Sequence, residues 1–245
     1  MKLYRSRFKK KDFDIMSTDE QICFIQAGRF LNELSLFNKL IDYSRRGPAG
    51  DIEQTARNSQ TLALLLILIG KLNECHTFLS KTYAVIRNKK DYERLLGFEG
   101  TEAYKKLTKY FSKHNNINNI RKKIAFHHDD DVIRRQLSKL NPDEEFEIYF
   151  ADSVGNCIYH ISNHMILRDL LERSDPHDFK VAFRKLILEV FQTSNLFIDF
   201  LNDYVGVFAE KHGKHLPPLE ELEIPDPQSI DEISLPYFVS KPLKT

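Results

Sequence analysis

The stretch TLALLLILIG, residues 61–70, is the most apolar run of the chain and decides which fold class the sequence can adopt. It is ten residues long and polar residues flank it, whereas a helix that crosses a bilayer needs about 20 consecutive apolar residues. The run therefore predicts a helix that is buried in a protein core and does not enter a membrane.

Helical patterns surround this run. Ser17 and Glu20 form a capping-box signature, and the apolar residues behind them recur every three to five positions, which predicts a helix ending near Arg45. Asp51 can cap the helix that contains the apolar run and reaches about Asn88. Further helices are expected at about 101–113, from about 115 to the histidines at 127–128, and at about 129–140, 163–172 and 178–211.

Three segments differ from the helical ones. Residues 145–161, EFEIYFADSVGNCIYHI, are rich in aromatic and β-branched residues around a DSVGN turn, which predicts a β-hairpin. Residues 1–16 are basic, and residues 213–245 form a Pro-rich acidic tail, expected to be extended or disordered. The sequence thus predicts a mainly α protein: one helical domain over 17–212, a bundle with a small hairpin insertion, followed by an extended tail.

The overall composition narrows the functional classes. A formal net charge of +1 gives no global attraction to nucleic acid or membrane, so such binding would need a local patch. Cys23, Cys75 and Cys157 lie far apart and form no CxxC pair, which disfavours a disulfide framework and a thiolate zinc site. No apolar segment of a secretory signal follows the basic start. A cytoplasmic location is therefore expected.

A local basic strip occurs in the middle of the chain. Residues 103–128 contain no Asp or Glu, while aromatic residues such as Tyr104 and Phe111 are interleaved with the basic ones. Such a strip could follow a phosphate backbone and stack bases, although a solvated basic helix face has the same composition. The basic residues are Lys105, Lys106, Lys109, Lys113, Arg121, Lys122 and Lys123.

Arg121, His127 and His128 stand at the end of this strip. The number of residues between Arg121 and these histidines is not informative alone, because chance produces about as many such Arg–His spacings in a chain of this composition. At 100° per residue, His128 lies within about 20° of Arg121 and His127 about 120° away, so Arg121 and His128 are expected to interrupt the apolar stripe of their helix. A buried arginine needs an acidic partner, for which Glu74 is a candidate, or a shared face with a second subunit.

The run HHDDD, residues 127–131, could also suggest a metal site. Adjacent residues on one short segment rarely converge on a single ion, and the aspartates are explained by capping and the first turn of the next helix. His160 and His164 are four residues apart, but His160 falls in the predicted hairpin, so this pair is interpreted as incidental. Neither a metal nor a cofactor is expected.

Two segments, in this helical order, resemble the HEPN superfamily, and most closely its branch linked to abortive infection of phage. They are LLLILIGKLNE, residues 64–74, and IRKKIAFHHD, residues 120–129. By position, the resemblance makes Arg121 and His127 the catalytic pair, because the family histidine follows an Ala-Phe pair. Lys122 stands where the family often has Asn. His128, Lys122 and Glu74 would support the site, and the RNA-binding lysines would be Lys105, Lys106, Lys109, Lys113 and Lys123.

The resemblance implies a homodimer that cleaves RNA without a metal ion. The ribose 2′-OH would attack the adjacent phosphate while His127 moves protons and Arg121 stabilises the phosphoryl oxygens. A cytoplasmic protein of phage defence or of a toxin–antitoxin system is expected, with an antitoxin protein as a possible partner. The alternative is a non-catalytic helical module of the same fold that binds RNA or another protein.

Overall fold

The computed structural model describes residues 1–7, 9–47, 50–89, 92–121, 130–172, 179–212 and 219–240. It is mainly α-helical with short antiparallel strand pairs, which confirms the predicted fold class. The elements are β1 (Lys2–Arg5), α1 (Lys10–Phe13), α2 (Thr18–Ser44), α3 (Asp51–Phe78), α4 (Ala84–Lys89), α5 (Tyr92–Leu95), α6 (Phe98–Phe111), α7 (Asn116–Ile120), α8 (Asp130–Leu137), β2 (Ile148–Tyr149), β3 (Ile158–Tyr159), α9 (His160–Glu172), α10 (Phe179–His212) and β4 (Glu220–Glu223).

The chain forms two compact units whose segments alternate along the sequence. The first unit comprises Met1–Ser35, Lys71–Lys113 and Thr193–Ile233. The second comprises Leu36–Gly70, His114–Gln192 and Ser234–Thr245. Three of the five boundaries fall inside α2, α3 and α10, so each of these long helices supplies residues to both units.

Helix α3 contains the apolar run that the sequence places in the core. Leu65, Leu68 and Ile69 are 0% exposed, as expected for a core helix. The helical stretch Asp51–Arg87, which includes a π-helical turn at Leu79–Tyr83, has the length and hydropathy of a membrane span, but half of its apolar window is buried inside the protein. The core helix of a soluble protein can have the same length and hydropathy, and the complete burial of Leu65, Leu68 and Ile69 agrees with the predicted core position.

Aromatic packing dominates the core of the first unit. The ring centroid of Tyr83 lies 5.0 Å from that of Phe200 and 5.8 Å from that of Tyr204, both edge-on. Tyr92 packs on Tyr204 at 5.4 Å. Edge-to-face pairs of this kind stabilise a fold beyond the area they bury. These contacts hold the C-terminal half of α10 against the π-helical turn and α5.

The basic N-terminal segment and the acidic tail, treated as separate regions on sequence grounds, form a sheet together. β1 and β4 are antiparallel, with Leu3 opposite Leu222. Lys2 Nζ lies 2.8 Å from Glu221 Oε1, and Arg5 Nη2 lies 2.8 Å from Glu220 Oε2. The tail is extended here, as predicted, and the opposite charges of the two strands favour their pairing.

The second unit contains the predicted hairpin in reduced form. β2 and β3 pair antiparallel over two residues each, with Ile148 opposite Tyr159. Helix α9 begins at His160, directly after β3, so the placement of His160 in the hairpin was wrong. The β-forming residues Ile158 and Tyr159 directly precede His160. The side-chain pattern therefore changes at this residue from the two-residue repeat of a strand to the 3.6-residue repeat of a helix.

Candidate functional site

Helix α7 presents Arg121 to solvent. The side chain of Asn115 caps the helix, its Oδ1 accepting a hydrogen bond from the backbone N–H of Asn118 at 2.8 Å. Ile117 and Ile120 are 0% and 4% exposed and anchor the helix in the second unit. Arg121 follows with helical dihedrals, φ −57° and ψ −44°, and is exposed. An anchored helix end therefore carries a solvated guanidinium.

Arg121 is exposed in the single chain, so it is not buried within one chain, and a face that it shares with a second subunit stays a prediction. Arg121 directly follows the five residues of α7, and its long side chain can extend into water even next to the buried Ile120. Because the guanidinium is exposed, it needs no buried acidic partner. Glu74 lies in the first unit and pairs with Lys71, its Oε2 3.0 Å from Lys71 Nζ. A supporting role for Glu74 stays a prediction.

The remaining residues of the motif fall outside the described structure. Lys122, Lys123, His127, His128 and Asp129 belong to residues 122–129, which the described ranges do not include. Helix α8 resumes at once, with Asp130 and Asp131 in its first turn, where carboxylates complement the helix dipole. The interpretation of these two aspartates as first-turn acids is thus confirmed.

The lysines of α6 share one exposed helix face. Lys105, Lys106 and Lys109 are exposed and, at 100° per residue, span an arc of about 100°. Lys113, just beyond the helix end, is exposed as well. Lys105 Nζ forms an ion pair with Glu102 at 2.9 Å, which neutralises part of this face. Lys106 and Lys109 therefore provide most of its positive charge.

Two aromatic residues interleaved with these lysines, Tyr104 and Phe111, pack against the core. Phe111 is 7% exposed, and its ring stacks on His76 with centroids 4.2 Å apart. The Tyr104 hydroxyl accepts a hydrogen bond from Arg87, and its ring lies 5.7 Å from that of Phe200. The expectation of base stacking is therefore wrong for Tyr104 and Phe111, which pack the core, whereas Phe126 of the same strip lies outside the described residues.

A second cluster, named the histidine cleft, lies within the second unit. Its volume is about 220 Å³. Helix α9 contributes His160 and His164, whose ring centroids are 6.2 Å apart, together with Asn163 and Leu167. Helix α3 contributes Thr55, Asn58 and Ser59, and α10 contributes Phe183.

His164 is held in place by its neighbours. Its Nε2 lies 3.4 Å from Glu144 Oε1, and its ring packs edge-on against Phe146 at 5.7 Å. Burial lowers the pKa of His164 below its ordinary value, although Glu144 opposes this shift. Burial alone would raise the pKa of Glu144, but hydrogen bonds from the Asn141 backbone and from Arg168 outweigh it and lower that pKa. At neutral pH, His164 is therefore mostly uncharged and Glu144 is ionised.

The sequence contains the four-residue step from His160 to His164, but the β-forming residues before His160 favour a hairpin there. The signal that supports a helix is the same step in the apolar residues Ile161 and Met165, which runs across the presumed hairpin end. Within the described ranges, no group of three or more His, Cys, Asp or Glu residues could hold a metal ion.

Comparisons of the chain with protein-family models, with curated proteins and with solved structures found no match. The function is accordingly inferred from the residues and their geometry.

Proposed function

We propose that this chain is a HEPN-like, metal-independent endoribonuclease that cleaves RNA by attack of the ribose 2′-OH, in phage defence or a toxin–antitoxin system. The observation that carries the proposal is the position of Arg121. It is exposed on a helix end whose preceding residue, Ile120, is only 4% exposed. The backbone of Arg121 is anchored by α7 while its side chain faces solvent, which suits an arginine that binds an RNA phosphate.

Arg121 would act on the phosphate that is attacked. Its guanidinium is charged at every physiological pH and can donate two parallel hydrogen bonds to phosphate oxygens. As the 2′-OH attacks, negative charge builds up on those oxygens, and a positioned cation stabilises it more than it stabilises the ground state. Helix α7 holds the backbone of Arg121 in place beforehand, which reduces the entropy lost on binding.

His127 would transfer the protons of the reaction. It must take a proton from the 2′-OH or give one to the leaving 5′ oxygen, and an imidazole titrating near neutral pH can do either. His128 is assigned a positioning or RNA-contacting role, and Lys122 adds positive charge beside Arg121. In a homodimer two such motifs can meet in one cleft, so that Arg121 and His127 could act from opposite subunits.

The lysine face of α6 would hold the RNA backbone. Lys106→Glu with Lys109→Glu should weaken RNA binding at low salt and make the salt dependence of the affinity shallower, because fewer counterions are released. The matched control is Lys39→Glu with Lys81→Glu, two exposed lysines outside α6. An equal loss of affinity in both double variants would argue against a role for α6.

The dimer is tested by light scattering. The proposal expects a particle of twice 28.8 kDa at micromolar concentration. A particle of 28.8 kDa would remove the composite site, and Arg121 and His127 would then have to act within one chain. An antitoxin, if the chain acts as a toxin, is proposed as a further protein partner.

Cleavage of labelled RNA in EDTA tests the catalytic proposal. The wild-type protein should cleave, while Arg121→Ala and His127→Ala should each lower the single-turnover rate about 100-fold or more. Arg94→Ala is the matched control, because Arg94 is also an exposed arginine of a short helix, and it should leave the rate unchanged. RNA binding without any cleavage by the wild type would support the non-catalytic binding module instead.

A further inference from the structure

The α3 wall of the histidine cleft offers oriented hydrogen-bonding groups. Asn58 Oδ1 accepts a hydrogen bond from Gln54 Nε2 at 2.8 Å, which directs the oxygen of its amide toward Gln54 and leaves the NH₂ group to donate elsewhere. Ser59 Oγ donates to the Thr55 carbonyl at 3.1 Å, so its lone pairs remain as acceptors. One wall thus carries a donor next to an acceptor.

The other walls combine flat and polar groups. His160 and His164 contribute two rings whose planes are tilted by 49° to each other, and Asn163 between them carries an amide with both donors and an acceptor. Phe183 and Leu167 supply apolar surface. At about 220 Å³ the cleft is smaller than the roughly 300–1,000 Å³ of typical drug-sized sites, so it suits one planar ring system.

The cleft carries little net charge. His164 is mostly neutral at pH 7, and the carboxylate of Glu144 is compensated by Arg168, whose Nη1 lies 3.1 Å from Glu144 Oε1. Among these groups, no positive charge is left over to attract an anion. No carboxylate is left over to attract a cation. A neutral, planar ligand with donors and acceptors along its edge matches both the charge and the lining.

We propose that the histidine cleft binds one unpaired, unstacked nucleobase of RNA. The inference rests on the proposed function in that RNA is the substrate, and it adds a base-reading subsite. Single-stranded RNA is recognised by stacking a splayed base on aromatic or histidine rings and by hydrogen bonds to its edges. Phe183 and the histidine rings supply the stacking surfaces, and the amides of Asn58 and Asn163 read the edge.

Nucleotide titration of the full chain tests this subsite. The Arg121→Ala variant is titrated with AMP, GMP, CMP and UMP, and the ring ¹H–¹³C signals of His160 and His164 are followed after assignment with His160→Gln and His164→Gln. At least one of the four nucleotides should move both signals, while ribose 5-phosphate and inorganic phosphate leave them in place. Removing the stacking ring with Phe183→Leu should weaken that binding about tenfold or more.

Phe150→Leu is the matched control, since Phe150 is 80% exposed and does not line the cleft, and it should leave the affinity unchanged. Circular dichroism confirms that both variants fold; if Phe183→Leu does not, Asn163→Ala takes its place with the same expected direction. Equal shifts with ribose 5-phosphate, shifts with Zn²⁺ alone, or no shift with any nucleotide would each overturn the proposal.

The same data separate this inference from the proposed ribonuclease activity. If the protein cleaves no RNA but the nucleotides shift the His160 and His164 signals, the base-binding cleft is supported and the proposed catalysis is refuted. If the protein cleaves RNA but no nucleotide shifts the His160 and His164 signals, the proposed catalysis is supported and the cleft is refuted as a base-binding site.

Discussion

Replacement of Glu20 by Gln should destabilise the fold substantially, because Glu20 is a buried carboxylate on which three elements converge. The side chain belongs to a residue that is 3% exposed. It accepts hydrogen bonds from Ser17 Oγ at 2.7 Å, from Tyr92 Oη at 3.1 Å and from Lys211 Nζ at 2.9 Å. These contacts tie the start of α2 to α5 and to the end of α10.

The size of the effect follows from the pKa of Glu20. Burial alone would raise this pKa, but hydrogen bonds from Ser17 and Lys211 outweigh it and lower the pKa from 4.5 to about 2. A difference of about 2.5 pH units between the unfolded and folded states corresponds to about 3 kcal/mol of stability at pH 7. Gln keeps the size but loses the charge that faces Lys211, so a loss of about 2–3 kcal/mol is expected.

The pH dependence has a defined sign. The folded pKa is depressed, so the stabilisation is fully present above the unfolded value of 4.5 and is lost as the pH falls towards 2. The difference between wild type and Glu20→Gln should therefore shrink from about 3 kcal/mol at pH 7 to about 1.4 kcal/mol at pH 3. Urea unfolding followed by far-UV circular dichroism at pH 7, 5, 4 and 3 measures it.

Glu221→Gln is the matched control, because Glu221 also faces a lysine, at 2.8 Å, but its side chain is 51% exposed. It should cost less than about 1 kcal/mol. A loss below about 0.5 kcal/mol for Glu20→Gln at pH 7, or a loss that does not change between pH 7 and pH 3, would refute the reasoning about Glu20.

Three further predictions concern other parts of the chain. Arg5→Glu should raise the hydrogen-exchange rates of the backbone amides in β1 and β4. It should lower the free energy of unfolding by less than about 1 kcal/mol, because both side chains of the ion pair are exposed. The double variant Arg5→Glu with Glu220→Arg should restore the protection of these amides. Asn156→Ala should raise the hydrogen-exchange rate of the Val239 backbone amide, which donates to Asn156 Oδ1 at 3.0 Å. An unchanged exchange rate would contradict that contact. In single-turnover RNA cleavage His127→Ala should cost about 10²-fold or more and His128→Ala much less; equal or reversed penalties would assign the proton transfer to His128.

The long helices could be predicted because their signals are local. The capping pair survives in the structure, where the Ser17 backbone N–H donates to Glu20 Oε2 at 3.0 Å, and α2 spans Thr18–Ser44 close to the expected end near Arg45. Periodicity also placed α3 and α10, since an apolar face that repeats over seven or more turns has few alternatives.

What the sequence could not supply was long-range or fell at an element boundary. Residues 2–5 and 220–223 pair across nearly the whole chain, and no local pattern announces such a partner. The exposure of Arg121 in the single chain could not be read from helical phase, because a long side chain beside a buried residue can still extend into water. His160 was misplaced because its strand-like neighbours end one residue before it.

The chemistry of the product ends tests the central claim most directly. A defined RNA is incubated with the wild-type protein in EDTA, and the fragments are identified by mass spectrometry. Attack by the ribose 2′-OH without a metal predicts a 2′,3′-cyclic phosphate on one fragment and a 5′-hydroxyl on the other, both formed about 100-fold or more slowly by Arg121→Ala. Fragments that carry a 5′-phosphate and a 3′-hydroxyl, or cleavage that appears only when a divalent cation is added, would contradict the proposed mechanism.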